Sequence, residues 1–101
     1  MGMGTMVLVK TDGTYEFHPA KKFDIKFAYR LIGCELVEVI KVRFRGRVRE
    51  AYLDEEGLVR SGTIKLNPEI RKLAADYYGA PIQEFAGHAV IWCPNEEITS
   101  V

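Results

Sequence analysis

The chain has 101 residues, 48% hydrophobic and 28% charged, a length that permits one compact core and a composition that excludes intrinsic disorder. Lys plus Arg and Asp plus Glu each number 14, so the formal net charge is zero; no global field draws the chain to nucleic acid or anionic lipid, and such binding needs a local patch. No apolar stretch reaches the roughly 18 residues of a membrane span, and the start lacks the basic-then-apolar pattern of a signal peptide, so the expectation is a cytoplasmic protein with no membrane partner.

Met1 to Thr5 alternates Met and Gly without a packing pattern and reads as a flexible start, residues 1–5, ahead of a single domain over residues 6–94. Met6 to Val9 is a short β-prone run. The turn Thr11-Asp12-Gly13-Thr14 joins it to Tyr15 to His18, which alternates with period two, so the pair predicts a β-hairpin closed by Pro19. Phe23, Phe27, Ala28, Leu31 and Ile32 then fall on one helical face, with Asp24 favouring the dipole at the start and Gly33 placed as the left-handed terminator.

Leu36 to Phe44 is rich in β-branched residues, and Arg45-Gly46 divides it from a second run, Arg47 to Leu53. A three-residue loop with Gly46 at the left-handed position sets Val42 opposite Val48 on one face and puts Lys41, Arg43, Arg47 and Arg49 on the other, giving one oily and one basic side. Asp54-Glu55-Glu56-Gly57 is a turn, because its acids can bond their own backbone and Gly57 has conformational freedom. Leu58 to Leu66, broken by Ser61-Gly62, reads as an irregular extended segment with a short strand over residues 63–65.

Asn67-Pro68-Glu69 starts a second helix: Asn caps the first amides, Pro fits the first turn and Glu complements the dipole. Ile70, Leu73, Ala74 and Tyr77 form its apolar stripe, with Tyr78 to the side, and Gly79 ends it before Pro81. Ala89 to Cys93 is apolar throughout, as expected of a central strand covered on both faces. The polar tail, residues 95–101, is expected to fray. Cys34 and Cys93 lack any zinc-ligand spacing and read as buried reduced thiols, with a bridge between neighbouring strands as the alternative. The sum is an α+β fold, one small domain whose mixed or mainly antiparallel sheet of about five strands carries two packed helices on one face, in the order β-β-α-β-β-α-β.

The succession Ile32-Gly33, Glu35-Leu36-Val37-Glu38-Val39, Ala51-Tyr52-Leu53-Asp54-Glu55-Glu56-Gly57-Leu58, Asn67-Pro68 and Gly87-His88-Ala89-Val90-Ile91 resembles a small family termed domain of unknown function 3846, found largely in phages, plasmids and the bacteria that carry them. The resemblance runs from about Met6 to Cys93. It implies an accessory protein of a phage or mobile element and brings no catalytic residues; the basic stretch from Lys41 to Arg49 departs from the family pattern.

Two groups of residues are candidates for contact with other molecules. Asp54, Glu55 and Glu56 place carboxylates side by side, but neighbouring residues diverge and the calcium-loop pattern is absent, so a structural turn with partner contact is favoured over a metal site. Lys41, Arg43, Arg45, Arg47 and Arg49 alternate along a β-ribbon that can track phosphates, although a solvated edge carries the same residues. His88, at the entry of the last strand, and Tyr78 are further candidates for ligand or partner contact; His18 reads as structural. No nucleophile elbow or phosphate loop is present. The expectation is therefore a non-enzymatic protein without a metal or cofactor, which binds a protein or small ligand. The alternative is a nucleic-acid module using residues 41–49, and a homodimer through a sheet edge is compatible with so small a domain.

Overall fold

A computed structural model describes residues 3–59 and 64–101. Its elements follow the expected order: β1 (Gly4–Val9), β2 (Tyr15–Ala20), α1 (Ile25–Ile32), β3 (Val37–Phe44), β4 (Arg47–Asp54), α2 (Pro68–Tyr78) and β5 (Ala89–Cys93). The described strands form one five-stranded sheet ordered β2-β1-β5-β4-β3, with every neighbouring pair antiparallel. β5 is central, in keeping with its unbroken apolar run, and Pro19 sits in edge strand β2, where a missing amide costs the ladder least.

The local signals act as expected at three of the four helix ends; α1 begins at Ile25 rather than Phe23, so Asp24 is its cap instead of a first-turn acid. Asp24 caps α1, its carboxylate accepting from the Phe27 amide at 3.1 Å. Gly33 adopts φ 83° and donates its N–H to the Tyr29 carbonyl at 2.7 Å, a left-handed stop that a side chain would strain. Asn67 caps α2 at the Ile70 amide, Pro68 follows, and Gly79 closes the helix at φ 82°.

The two helices lie on opposite faces of the sheet, not on one. Alternate residues of each strand separate the cores: Val7, Val9, Ala51, Leu53 and Ile91 pack with Ile70, Leu73 and Ala74 of α2, whereas Met6, Leu8 and Val90 pack with Ala28 of α1 and with Phe23, Phe27 and Trp92. Both cores draw on β1 and β5, which explains why those strands carry no polar alternation. Tyr77, expected in the buried stripe of α2, is 39% exposed and meets Tyr78 edge to face.

The structure adds detail at both termini, at the cysteines and in the segment before α2. Within the tail expected to fray, Ile98 is buried, its amide donates to Thr5 Oγ1 at 3.0 Å, and that hydroxyl donates to the Glu96 carbonyl at 2.6 Å. Gly4 and Thr5, expected ahead of the domain, belong to β1, and Thr5 is buried. Cys34 follows the α1 cap, outside any strand and half-buried rather than buried, and neither it nor the buried Cys93 is in a disulfide; burial pushes the Cys93 thiol up to about 11. The Ser61-Gly62 break and Thr63 lie outside the described residues, while Ile64 and Lys65 lead into a single bridge between Leu66 and Ala86 rather than a strand.

Candidate functional site

The β3–β4 hairpin turns one residue more tightly than expected. Arg45 (φ 52°) and Gly46 (φ 77°) form a two-residue loop with both residues left-handed, the geometry that matches the strands' own twist. Val42 therefore pairs with Arg49, and Arg43 with Val48. A one-residue slip exchanges the faces of β4, so Arg49 belongs to the α2 side with Val42 and Phe44, while Val48 stands half exposed beside Lys41 and Arg43.

That slip dissolves the expected basic face. Arg49 is only 5% exposed: its Nε donates to the Phe44 carbonyl at 3.0 Å, and Nη1 and Nη2 donate to the two carboxylate oxygens of Glu96 at 2.6 and 3.3 Å. Arg47 lies 3.6 Å from the same carboxylate, Arg45 donates to the Ser100 carbonyl at 3.0 Å, and Lys41 pairs with Glu50 at 3.5 Å. Arg43 is exposed. The ladder is thus divided between a buried ion pair that holds the tail and a few surface charges on the other side.

The acidic turn is a folded motif. Asp54 is buried, its Oδ1 accepts from the Glu56 amide at 2.9 Å, and its carbonyl accepts from the Gly57 amide at 3.1 Å. Gly57 packs so closely that a Cβ there would stand 2.6 Å from the Ala86 carbonyl oxygen. Glu55 and Glu56 are exposed, and Glu55 donates its amide to the Leu36 carbonyl at 3.1 Å. Across from it, burial, aided by the Glu55 charge, raises the Glu38 carboxyl above its ordinary value.

Asp54 nevertheless shares a cleft with His88, which sequence spacing alone does not link. The cleft, about 360 Å³, opens at the end of the sheet beneath the C-terminus of α1, lined by Thr11, Ile32, Gly33, Asp54, Ile64, Lys65, Gly87 and His88. The Thr11 amide donates to His88 Nδ1 at 3.2 Å, so Nδ1 is the acceptor and the neutral ring carries its proton on Nε2. Lys65 is held beside it, because its carbonyl accepts from the Gly87 amide at 2.8 Å. A second cleft of about 310 Å³ borders the first through Gly33 and Asp54 and adds Glu56 and Cys34. Tyr78 lies elsewhere, its hydroxyl accepting from the Lys41 amide at 3.4 Å on the sheet edge.

Sequence reasoning singled out Asp54 and His88 and missed Thr11 and Lys65. Thr11 read only as part of a hairpin turn, and Lys65 lies in a segment without periodicity. Asn67 reads as a cap alone, yet its amide also donates to the carbonyls of Val9 and of Gly87, which lines the cleft. Among the described residues, no group of three or more His, Cys, Asp or Glu is placed to hold a metal ion, and no helix is long and apolar enough to cross a membrane. Comparisons with protein-family models, with curated proteins and with solved structures find no match to this chain.

Proposed function

We propose that this chain is a binding module rather than an enzyme, and that it holds a small polar ligand bearing an anionic group in the cleft between Gly33 and Gly87-His88. The observation that carries the reading is the oriented imidazole: the Thr11 amide occupies His88 Nδ1, leaving Nε2–H as the ring's donor in a cleft that Lys65 also lines. A positioned N–H in a cleft that a lysine also lines suits an anion, and a donor fixed by a backbone bond, as His88 is, binds at a lower ordering cost than a mobile one. The mobile-element setting implied by the resemblance is compatible with such an accessory module. A nucleic-acid module on residues 41–49 has less support, because Arg49 is buried against Glu96 and Glu96 also draws in Arg47.

Calorimetric titration of the full chain with phosphate, acetate and amino acids tests the proposal. At least one probe is expected to bind, with His88→Gln and Lys65→Gln each weakening it by about tenfold, the worth of one charge-assisted hydrogen bond, and Arg43→Gln leaving it unchanged. Absence of binding up to millimolar concentrations, or loss on Arg43→Gln alone, would overturn it.

A further inference from the structure

We infer that the outer edge of β3 binds an extended acidic segment of another protein by strand addition; this surface is separate from the proposed cleft. β2 and β3 are the two edges of the sheet. β2 has six residues, among them Pro19, which has no amide to offer a further strand, whereas β3 has eight and contains neither proline nor glycine. β3 is thus the edge suited to take another strand.

The hairpin determines which backbone groups face outward. Phe44 and Arg47 flank a two-residue loop, so they exchange hydrogen bonds, and every second pair along the ladder does the same. The bond from the Glu55 amide to the Leu36 carbonyl falls in this register. Residues 36, 38, 40, 42 and 44 therefore bond toward β4, and the amides and carbonyls of Val39, Lys41 and Arg43 point away from the sheet. The Lys41 amide donates outward to the Tyr78 hydroxyl at 3.4 Å, a long bond to a side chain that is 44% exposed and free to swing clear. No bond from a described residue outside the hairpin meets the Val39 or Arg43 amide.

The side chains of the same three residues select the partner. All are exposed, Val39 apolar and Lys41 and Arg43 cationic. Arg43 stands across from Val48 and forms no ion pair with a described residue, and Lys41 has only an exposed pair with Glu50 at 3.5 Å, which contributes little. A second copy paired antiparallel about the middle of β3 brings the Lys41 and Arg43 of both copies onto one face, the repulsion by which such residues keep sheet edges apart. An antiparallel segment with carboxylates opposite Arg43 and Lys41 and an apolar residue opposite Val39 matches all three positions. Main-chain bonds then supply affinity, and alternate side chains selectivity.

The test is an NMR titration of the full chain with the acetylated and amidated peptide Thr-Glu-Thr-Glu-Thr-Val-Thr, with its form carrying Lys in place of both Glu, and with its form N-methylated at both Glu. The acidic peptide is expected to bind about tenfold or more tightly than either of the others and to slow hydrogen exchange at the Val39 and Arg43 amides. Lys41→Glu with Arg43→Glu, both at exposed positions, is expected to reverse the preference toward the Lys peptide. No binding of the acidic peptide up to millimolar concentrations, equal binding of the N-methylated form, or an unreversed preference in the double variant would each overturn the inference. A dimer in sedimentation whose Val39 and Arg43 amides are already protected without peptide would overturn it in favour of a second copy on this edge.

Discussion

The side-chain amide of Asn67 donates to the Gly87 carbonyl at 2.9 Å and to the Val9 carbonyl at 3.1 Å, so the cap of α2 is also the bond that joins the end of β1 to the entry of β5. The same side chain accepts from the Ile70 amide, and the backbone amide of Asn67 donates to the Phe85 carbonyl. The start of α2 and the Gly87-His88 entry of β5 are thus bonded to each other. Asn67→Ala removes the cap and leaves two buried carbonyls without donors, an expected loss of about 3 kcal/mol, with about 1 kcal/mol from each source. Asn67→Asp keeps the cap but turns a carboxylate oxygen toward those carbonyls. Denaturant unfolding is expected to show both variants destabilised; wild-type stability in Asn67→Asp would mean that only the cap matters.

Gly57→Ala is expected to cost about 1–3 kcal/mol, the range of overpacking a filled site. The added Cβ would stand 2.6 Å from the Ala86 carbonyl oxygen, which is backbone and cannot swing aside. Thermal unfolding measures the loss. An unchanged midpoint would show that the acidic turn is not docked on residues 85–87.

Acid should act on the Arg49–Glu96 pair. The hydrogen bond from Arg49 holds the Glu96 carboxyl below its ordinary value of 4.5. With the folded-state value depressed, the pair stabilises fully above about 4.5 and loses its contribution as pH falls through the lower folded value. Glu38 has the opposite sign: burial raises it, so its contribution is present at low pH and lost as pH rises through the raised value. Glu96→Gln is expected to cost about 2 kcal/mol near neutrality, less than a fully buried pair because Glu96 is partly in water, and the gap to wild type should close well below pH 4.5. A gap constant across that range would contradict the ion-pair role.

Ile98→Ala should destabilise the domain by about 2–3 kcal/mol, as for a buried aliphatic side chain. Hydrogen exchange provides the check, since the Ile98 amide donates to Thr5 Oγ1 and should be protected. Rapid exchange at Ile98 with no loss of stability in the variant would return the tail to the frayed state expected from its polarity.

Element order and most helix ends were legible because capping residues act locally: Gly33, Asn67, Pro68 and Gly79 take their expected roles, while Asp24, expected only to favour the dipole, caps α1. The β3–β4 register was not. A left-handed arginine is uncommon, so the sequence points to Gly46 alone for a positive φ, whereas Arg45 shares it and the loop shortens by one residue. The side on which each helix packs was equally hidden, since periodicity defines a helix face but not a sheet face; the unbroken apolar runs of β1 and β5 were the one sign of two cores. The cleft was half legible. Asp54 and His88 stood out by residue type, but their meeting depends on β4 lying beside β5, a pairing that residue types do not encode.

The most direct measurement is an amide-resolved NMR titration of the full chain with the phosphate, acetate and amino acids named above. Saturable shifts at Thr11, Gly33, Lys65, Gly87 and His88, with Lys41 and Arg43 unmoved, are expected if the cleft at the sheet end is the binding site. Shifts confined to residues 41–49, or none at the cleft with any compound, would contradict it.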